Sequence, residues 1–378
     1  MLPLERYRAE FPALAGQIYL NHASVAPAST RVREAVVAWI DDLVAHGLLH
    51  EQEWEKRAAA ARTSCAKLIG AGDDEIAFVR NTSHGLGLVA EGLDWTQGDE
   101  VAVCTAIEYP SNVYPWMHLA TRGVGIREIA AVRGGVTPAA VASALTPRTR
   151  LVSVSSVQYA SGHRTDLEAI GRVCKERGVL LCVDGIQSVG AFPLDVKKAG
   201  IHFLSADSHK WMLGVNGSGF LYVDRAAASK LRPVLVGWHS TKGAWDFDRA
   251  TFALREDAQR FEEGSPSYLS VWALGEAVDL LAEVGVERVA QRITTLLEGL
   301  DEGLTALGCD VSPAEAERAG ILTFVPPAPA TAASVAAHLA ANRVSVTVRR
   351  GRIRVSPHFY TTDGELQEVV RLVANVLR

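Results

Sequence analysis

Cysteine is scarce in this 378-residue chain. The five present, Cys65, Cys104, Cys174, Cys182 and Cys309, are odd in number and show no Cys-x-x-Cys or Cys/His ligand spacing. Neither a disulfide framework nor a zinc site is implied, and no metal is expected. Reduced thiols suit the cytoplasm. No run of about 18 apolar residues occurs, so a membrane-spanning helix is not expected. The opening stretch MLPLERYRAEFPALAG mixes charged with apolar residues and lacks the continuous apolar stretch of a signal peptide.

An excess of one charge is missing too. Against 38 Lys and Arg stand 43 Asp and Glu, and no basic run is long enough to track a phosphate backbone or an anionic membrane. Nucleic acid and membrane are therefore not expected partners. No Gly-x-Gly-x-x-Gly opens a helix after a strand, which removes the signature of a nicotinamide-dependent dehydrogenase. There is no internal repeat.

What the chain does have is apolar content, 48 % of residues, enough for a large core with a smaller second domain. From residue 30 to 70 the spacing of apolar residues is helical, in TRVREAVVAWIDDLVAHG and EWEKRAAAARTSCAKLIG. Seven short apolar runs follow: EIAFVR, EVAVC, GIREIA, RLVSVSS, VLLCVD, HFLSAD and GSGFLYV. Helical stretches such as SHGLGLVAEGL, VTPAAVASAL and LEAIGRVCKERG alternate with them, the pattern of an α/β fold with a mainly parallel sheet covered on both faces. After about residue 268 two long helical patterns precede short strands (GILTFV, RVSVTVR, RIRVS) and a closing helix. This reading divides the chain into a large domain over 15–267 and a smaller α+β domain over 268–378, the latter packed with segment 1–14.

In an open α/β sheet, ligands sit beyond the carboxyl ends of the strands. Two runs end in chemistry-bearing residues: VLLCVD delivers Asp184 with Gln187 beyond it, and HFLSADSHK delivers Asp207, Ser208, His209 and Lys210. A lone lysine after a strand is ordinarily a solvated surface residue, and a lone strand-end aspartate a turn or helix cap. Together they answer one chemical need. Pyridoxal 5′-phosphate (PLP) requires a deprotonated amine for its imine and a carboxylate that keeps the pyridine nitrogen protonated.

The stretch from Val179 to Val223 resembles the class V aminotransferase family of fold-type I PLP enzymes, which includes the cysteine desulfurases. The resemblance rests on Asp184-x-x-Gln187, the His209-Lys210 pair and a Gly-x-Gly before a Leu-Tyr strand. It runs from YLNHASVAP to SPHFYTT. It implies a fold-type I PLP-dependent transferase fold with a seven-stranded sheet, and a homodimer with active sites near the subunit interface. It also implies a Schiff base on Lys210. Carried over position by position, Asp184 is the pyridinium partner and Gln187 a donor to the ring's phenolic oxygen. Thr82, Ser83 and the amide of His84 form the phosphate loop at a helix start, where free N–H groups favour an anion. Tyr109 stacks on the ring, His209 contacts the phosphate, and Ser265 is lent to the phosphate by the second subunit. Arg354 grips the substrate carboxylate, with Arg352 the competitor.

Three departures stand beside the resemblance. Cysteine desulfurases attack sulfur with a cysteine just before the carboxylate-binding arginine, and the segment from Arg343 to Arg354 has none. Ser156, assigned to the substrate, stands where those enzymes place an asparagine near the phenolic oxygen. Asp207 occupies a place often held by a phosphate-binding serine, so either it points away or Ser205 or Ser208 takes over. The expected function is a PLP-dependent, class V aminotransferase-like enzyme acting on a small amino acid. The alternatives are a desulfurase-like C–S or C–X lyase without persulfide chemistry, and a non-catalytic scaffold.

Overall fold

All seven apolar runs become strands of one sheet in the computed structural model, which describes residues 4–248 and 252–377. They are β1 (Ile76–Val79), β2 (Glu100–Val103), β3 (Gly125–Glu128), β4 (Thr149–Ser155), β5 (Leu180–Asp184), β6 (Phe203–Asp207) and β7 (Gly219–Val223). Their order across the sheet is β1-β7-β6-β5-β4-β2-β3. All neighbours are parallel except β7, which runs antiparallel to both β1 and β6. The central strands β5, β6 and β7 are buried at every position. A sheet covered on both faces demands this, and it explains why their sequences are continuous apolar runs rather than alternating ones.

Helices supply the cover. Among those that matter here are α1 (Thr30–His46), α2 (Glu51–Leu68), α3 (Thr82–Gly92) and α4 (Leu167–Arg177). Ser29 caps α1 and Asp166 caps α4, each side chain accepting an orphan N–H of the first turn. Helix α3 lies close on β6 because Gly85 has no side chain. A Cβ there would come within 2.2 Å of Ser205 Oγ. This close approach sets the start of α3 beside the ends of β5 and β6.

The C-terminal part contains α5 (Tyr268–Val284), α6 (Val286–Ala306), α7 (Ala332–Ala341) and α8 (Asp363–Leu377). A four-stranded antiparallel sheet accompanies them: β8 (Asp310–Ser312), β9 (Leu322–Val325), β10 (Thr347–Arg349) and β11 (Arg352–Val355), in the order β10-β11-β9-β8. Strand β8 has no counterpart among the expected strands, being three residues long and partly exposed. Helix α6 buries Val289, Ile293, Leu296, Leu297, Leu300 and Leu304, a stripe at three- and four-residue spacing. Fully burying such a side chain contributes roughly 1.5–3 kcal/mol.

Helix α5, which opens the smaller expected domain, lies against α1 and α2. Ser64 donates to Asp279 at 2.6 Å, and the Arg57 guanidinium sits 3.8 Å over the Trp272 ring. The described part of the N-terminal segment packs on the C-terminal elements, with Phe11 against Tyr360 and Arg8 paired to Glu365 at 2.6 Å. Among the described residues, no helix is long and apolar enough to cross a membrane.

Candidate active site

The carboxyl ends of β5 and β6 open onto a cavity of about 270 Å³. Asp184 is the last residue of β5. It is 2 % exposed, its Oδ1 accepts the Ile186 amide at 3.1 Å, and no basic side chain lies within ion-pair distance among the described residues. Burial raises its carboxyl to about 7, and the nearby Glu108 adds to the rise. Lys210 lies on the cavity wall just past β6. Withdrawal from water lowers its ammonium to about 8; Asp184 opposes the shift and Arg354 assists it. The turn carrying Lys210 closes with Leu213 N–H donating to the Lys210 carbonyl at 3.1 Å, which places Leu213 at a φ of 65°. A leucine in the left-handed region is strained, and here it is fully buried, so the surrounding core holds the turn.

Gln187 lines the same cavity with its amide pinned at both ends. Its Nε2 donates to the Ala23 carbonyl at 3.0 Å, and its Oε1 accepts from Trp211 Nε1 at 2.8 Å. Tyr109 is 47 % exposed rather than a core residue. Its ring packs edge-on against Tyr159, with centroids 5.1 Å apart, and its centroid is 5.8 Å from Lys210 Nζ.

Thr82 and Ser83 line the cavity from the first turn of α3, where backbone N–H groups have no intrahelical acceptor. His84 does not join them. Asn81 is the N-cap, and its Oδ1 accepts the His84 amide at 2.9 Å, so the expected phosphate donor is already engaged. The His84 side chain lines a neighbouring cavity together with Ser265. Ser265 is thus brought to His84 and not to Lys210 within one chain.

Asp207 does not point away. It lines the Lys210 cavity, with Oδ1 at 3.0 Å from His209 Nδ1, while its backbone N–H donates to Thr82 Oγ1 at 3.1 Å. Neither serine substitutes for it. Ser205 donates to the Thr82 carbonyl at 3.2 Å, and Ser208 to the Val215 carbonyl at 2.7 Å.

Ser156 is likewise turned elsewhere. Its hydroxyl donates to the Asp184 carbonyl at 3.1 Å and accepts from Ser188 at 2.7 Å, and its side chain lines a separate cavity with Arg164 and Thr165. The hydroxyl thus links the ends of two neighbouring strands and does not line the Lys210 cavity, where it was expected to meet the substrate.

Arg354 is 2 % exposed and projects from β11 into the Lys210 cavity. Its Nη1 donates to the Tyr159 carbonyl and its Nη2 to Ser24 Oγ, both at 2.7 Å, while Nε has no partner. No acid pairs with it among the described residues. Burial, with Arg349 nearby, lowers it to about 10. Arg352 is spent on Asp310 at 2.6 Å and on Thr323 at 3.0 Å and, unlike Arg354, does not line the cavity.

Several contributors escaped the sequence reading: Ser24, Ser111, Tyr159 and Arg349 line the cavity, and Glu108 is buried close enough to act on the Asp184 carboxyl. Glu108 is a buried carboxylate that accepts the Ser155 amide at 2.8 Å, Asn112 Nδ2 at 3.0 Å, Gln158 Nε2 at 2.7 Å and the Ser155 hydroxyl. Its position directly before Tyr109 was the one available signal. The five cysteines are all buried and free, and burial pushes Cys65 and Cys174 up to about 12 and Cys104 to about 11. Such thiols are inert.

PLP asks for an amine at its aldehyde, an acid at its ring nitrogen and donors around its phosphate. The residues present fit that demand. Among the described residues Arg354 Nε is buried without a hydrogen-bond partner, and Asp207 Oδ1 and His209 Nδ1 face only each other, at 3.0 Å; all three side chains line this one cavity. The fold and the cavity together define a PLP-dependent enzyme of fold type I, an aminotransferase or a lyase.

The chain belongs to the class V aminotransferase family, whose pattern matches residues 18–372. It is 30 % identical over 371 residues to the uncharacterized aminotransferase YcbU of Bacillus subtilis, covering 98 % of this chain and 97 % of that one. It is also 30 % identical over 392 residues to a probable cysteine desulfurase of Methanothermobacter thermautotrophicus, covering 96 % and 95 %. Among solved structures it resembles C-DES, in a mutant with glycine covalently linked to the PLP cofactor. The TM-score is 0.91 and the identity 26 %, with 98 % of this chain and 99 % of that one covered. C-DES is a cystine C–S lyase, also solved with its product cysteine persulfide.

Proposed function

We propose that this chain is a class V aminotransferase-like enzyme that binds PLP through Lys210 and acts on a small α-amino acid. The observation that carries the reading is the placement of Lys210 between Asp184, a buried carboxyl without a cation, and Arg354, a buried guanidinium without an anion. When bound, PLP supplies a conjugated electron sink for the substrate's Cα bonds.

Asp184 holds a proton at the pyridine nitrogen, and that cation relieves the burial that now raises its carboxyl. Arg354 takes the substrate α-carboxylate, replacing no existing ion pair. Tyr109 covers the ring face, and Gln187 offers its remaining amide hydrogen to the phenolic oxygen. Thr82, Ser83 and His209 take the phosphate, His209 offsetting the charge of Asp207. Lys210 Nζ would be the group that moves the proton at the substrate's Cα. We read the enzyme as a homodimer in which Ser265 of the partner subunit completes the phosphate site. The buried thiols suit a cytoplasmic setting.

A lyase reading keeps every one of these residues and is favoured by the likeness to C-DES over nearly the whole chain. Persulfide formation on the protein has no support, because every cysteine is buried and its thiol raised. The test is the absorbance of the purified protein with a panel of amino acids, with and without an α-keto acid, beside Lys210→Ala. An imine band present only with Lys210 supports the reading. Amino-group transfer to the keto acid then marks an aminotransferase, and release of ammonia with pyruvate a lyase. A protein that PLP cannot reconstitute leaves the scaffold reading.

A further inference from the structure

Away from the Lys210 cavity, the turn between α1 and α2 gathers three ligand-type side chains. Asp42 lies in the last turn of α1, His46 ends that helix, and His50 stands immediately before α2. Asp42 Oδ1 is 3.0 Å from His46 Nδ1 and 2.7 Å from His50 Nδ1, and one ligand atom from each of the three residues lies within 4.8 Å of the other two. The other carboxylate oxygen, Oδ2, accepts Trp54 Nε1 at 2.7 Å. Trp54 is itself buried, packed between Trp39 and Tyr268 with ring centroids 5.7 and 5.6 Å away.

We propose that Asp42, His46 and His50 form a binding site for a divalent transition metal of the zinc class, with one coordination position left open. A tetrahedral ion with bonds of about 2.0–2.1 Å sets its ligands roughly 3.3 Å apart. The observed separations from Asp42, 3.0 and 2.7 Å, are shorter than that by about 0.3 and 0.6 Å, a gap that rotation of the two exposed imidazoles can open. Imidazole with carboxylate suits zinc, cobalt and nickel, whereas calcium and magnesium require oxygen ligands.

The Trp54 indole supplies an outer-shell hydrogen bond of the kind that orients a ligating carboxylate. It occupies Oδ2 and leaves Oδ1 for the ion. The site also lies at the carbonyl end of α1, where the helix dipole favours a cation. An ion here would staple the end of α1 to the start of α2 across Gly47, Leu48 and Leu49. The spacing escapes a search for Cys/His ligand patterns because Asp42 and His46 are one helical turn apart, whereas His50 returns only through the turn.

The experiment is zinc titration of the untagged, PLP-loaded protein after chelator treatment, by calorimetry and by metal content after dialysis. Wild type is compared with the double variant His46→Ala/His50→Ala, and cobalt absorption reports the ligand set. One zinc per chain in the wild type, lost in the double variant with the PLP absorbance unchanged, supports the site. Trp54→Phe is expected to weaken zinc about 10-fold or more, as loss of an outer-shell partner does. Equal zinc uptake by wild type and double variant, or none by either, overturns the proposal and leaves a hydrogen-bonded His–Asp–His cluster.

Discussion

Trp211 donates its indole N–H to Oε1 of Gln187 at 2.8 Å. The contact joins the residue after Lys210 to the turn after Asp184, so the two sides of the cavity are held by one buried hydrogen bond. With Nε2 also engaged by the Ala23 carbonyl, a single amide hydrogen of Gln187 is left for the cavity. Replacing Trp211 with Phe strands a buried acceptor at a cost of about 1–3 kcal/mol. Thermal unfolding should show that loss, with a fall in kcat/KM. An unchanged kcat/KM would mean that Ala23 alone holds Gln187.

Lys210 loses its proton near pH 8 in the cofactor-free protein, well below an ordinary lysine. Only the neutral amine attacks the PLP aldehyde. The rate of reconstitution should therefore climb as pH rises through about 8 and level off above it, followed by absorbance. A rate that keeps rising to pH 10 would indicate an unshifted lysine.

Asp184 carries a raised pKa of about 7 in the cofactor-free protein, so between about pH 4 and 7 the folded chain binds more protons than the unfolded one. Its stabilising contribution is present below pH 4 and lost as pH rises through 7. Cofactor-free Asp184→Asn should consequently match wild type at low pH and exceed it above pH 7, by on the order of a few kcal/mol. Denaturant unfolding across that range measures the difference. If Asp184 meets the pyridine nitrogen as proposed, PLP-loaded Asp184→Asn should be less active than wild type, because asparagine cannot keep that nitrogen protonated.

Arg354 has no acid to lose, and its two hydrogen bonds go to Tyr159 and Ser24. Arg354→Gln should raise KM by about 10- to 100-fold, the equivalent of a lost charge-assisted hydrogen bond, and leave PLP absorbance unchanged. Loss of PLP binding instead would assign the guanidinium to the cofactor.

Glu108 accepts from four donors at once. Glu108→Gln turns an amide N–H toward groups that are themselves donors, with an expected loss of about 1–3 kcal/mol in thermal unfolding. The Tyr109 ring, one residue along, should become less ordered, visible as a broadened PLP absorption band.

Much of the architecture was legible because strands buried on both faces leave little choice of residue: β5, β6 and antiparallel β7 all read as continuous apolar runs. Short β8 was not legible, because three half-exposed residues carry no period. Asp184, Gln187 and Lys210 could be placed because Asp184 ends a strand and the other two lie three residues past a strand end. Arg354 could be named but not separated from Arg352, since both lie on β11 at a spacing of two residues and only the position of Asp310 across the sheet tells them apart.

The amino-acid sequence by itself determined the alternation of strands and helices, the absence of a reactive-cysteine segment before Arg354, and which strand ends bear an amine and a carboxyl. Tertiary structure alone decided where the hydrogen bonds of the polar residues go. Asn81 takes the His84 amide, Ser156 turns to the Asp184 carbonyl, and Asp207 faces the cavity beside His209. The physical reason is that burial follows from local apolar pattern, whereas a buried polar group is satisfied by whichever partner the fold brings within about 3 Å, and those partners come from distant parts of the chain.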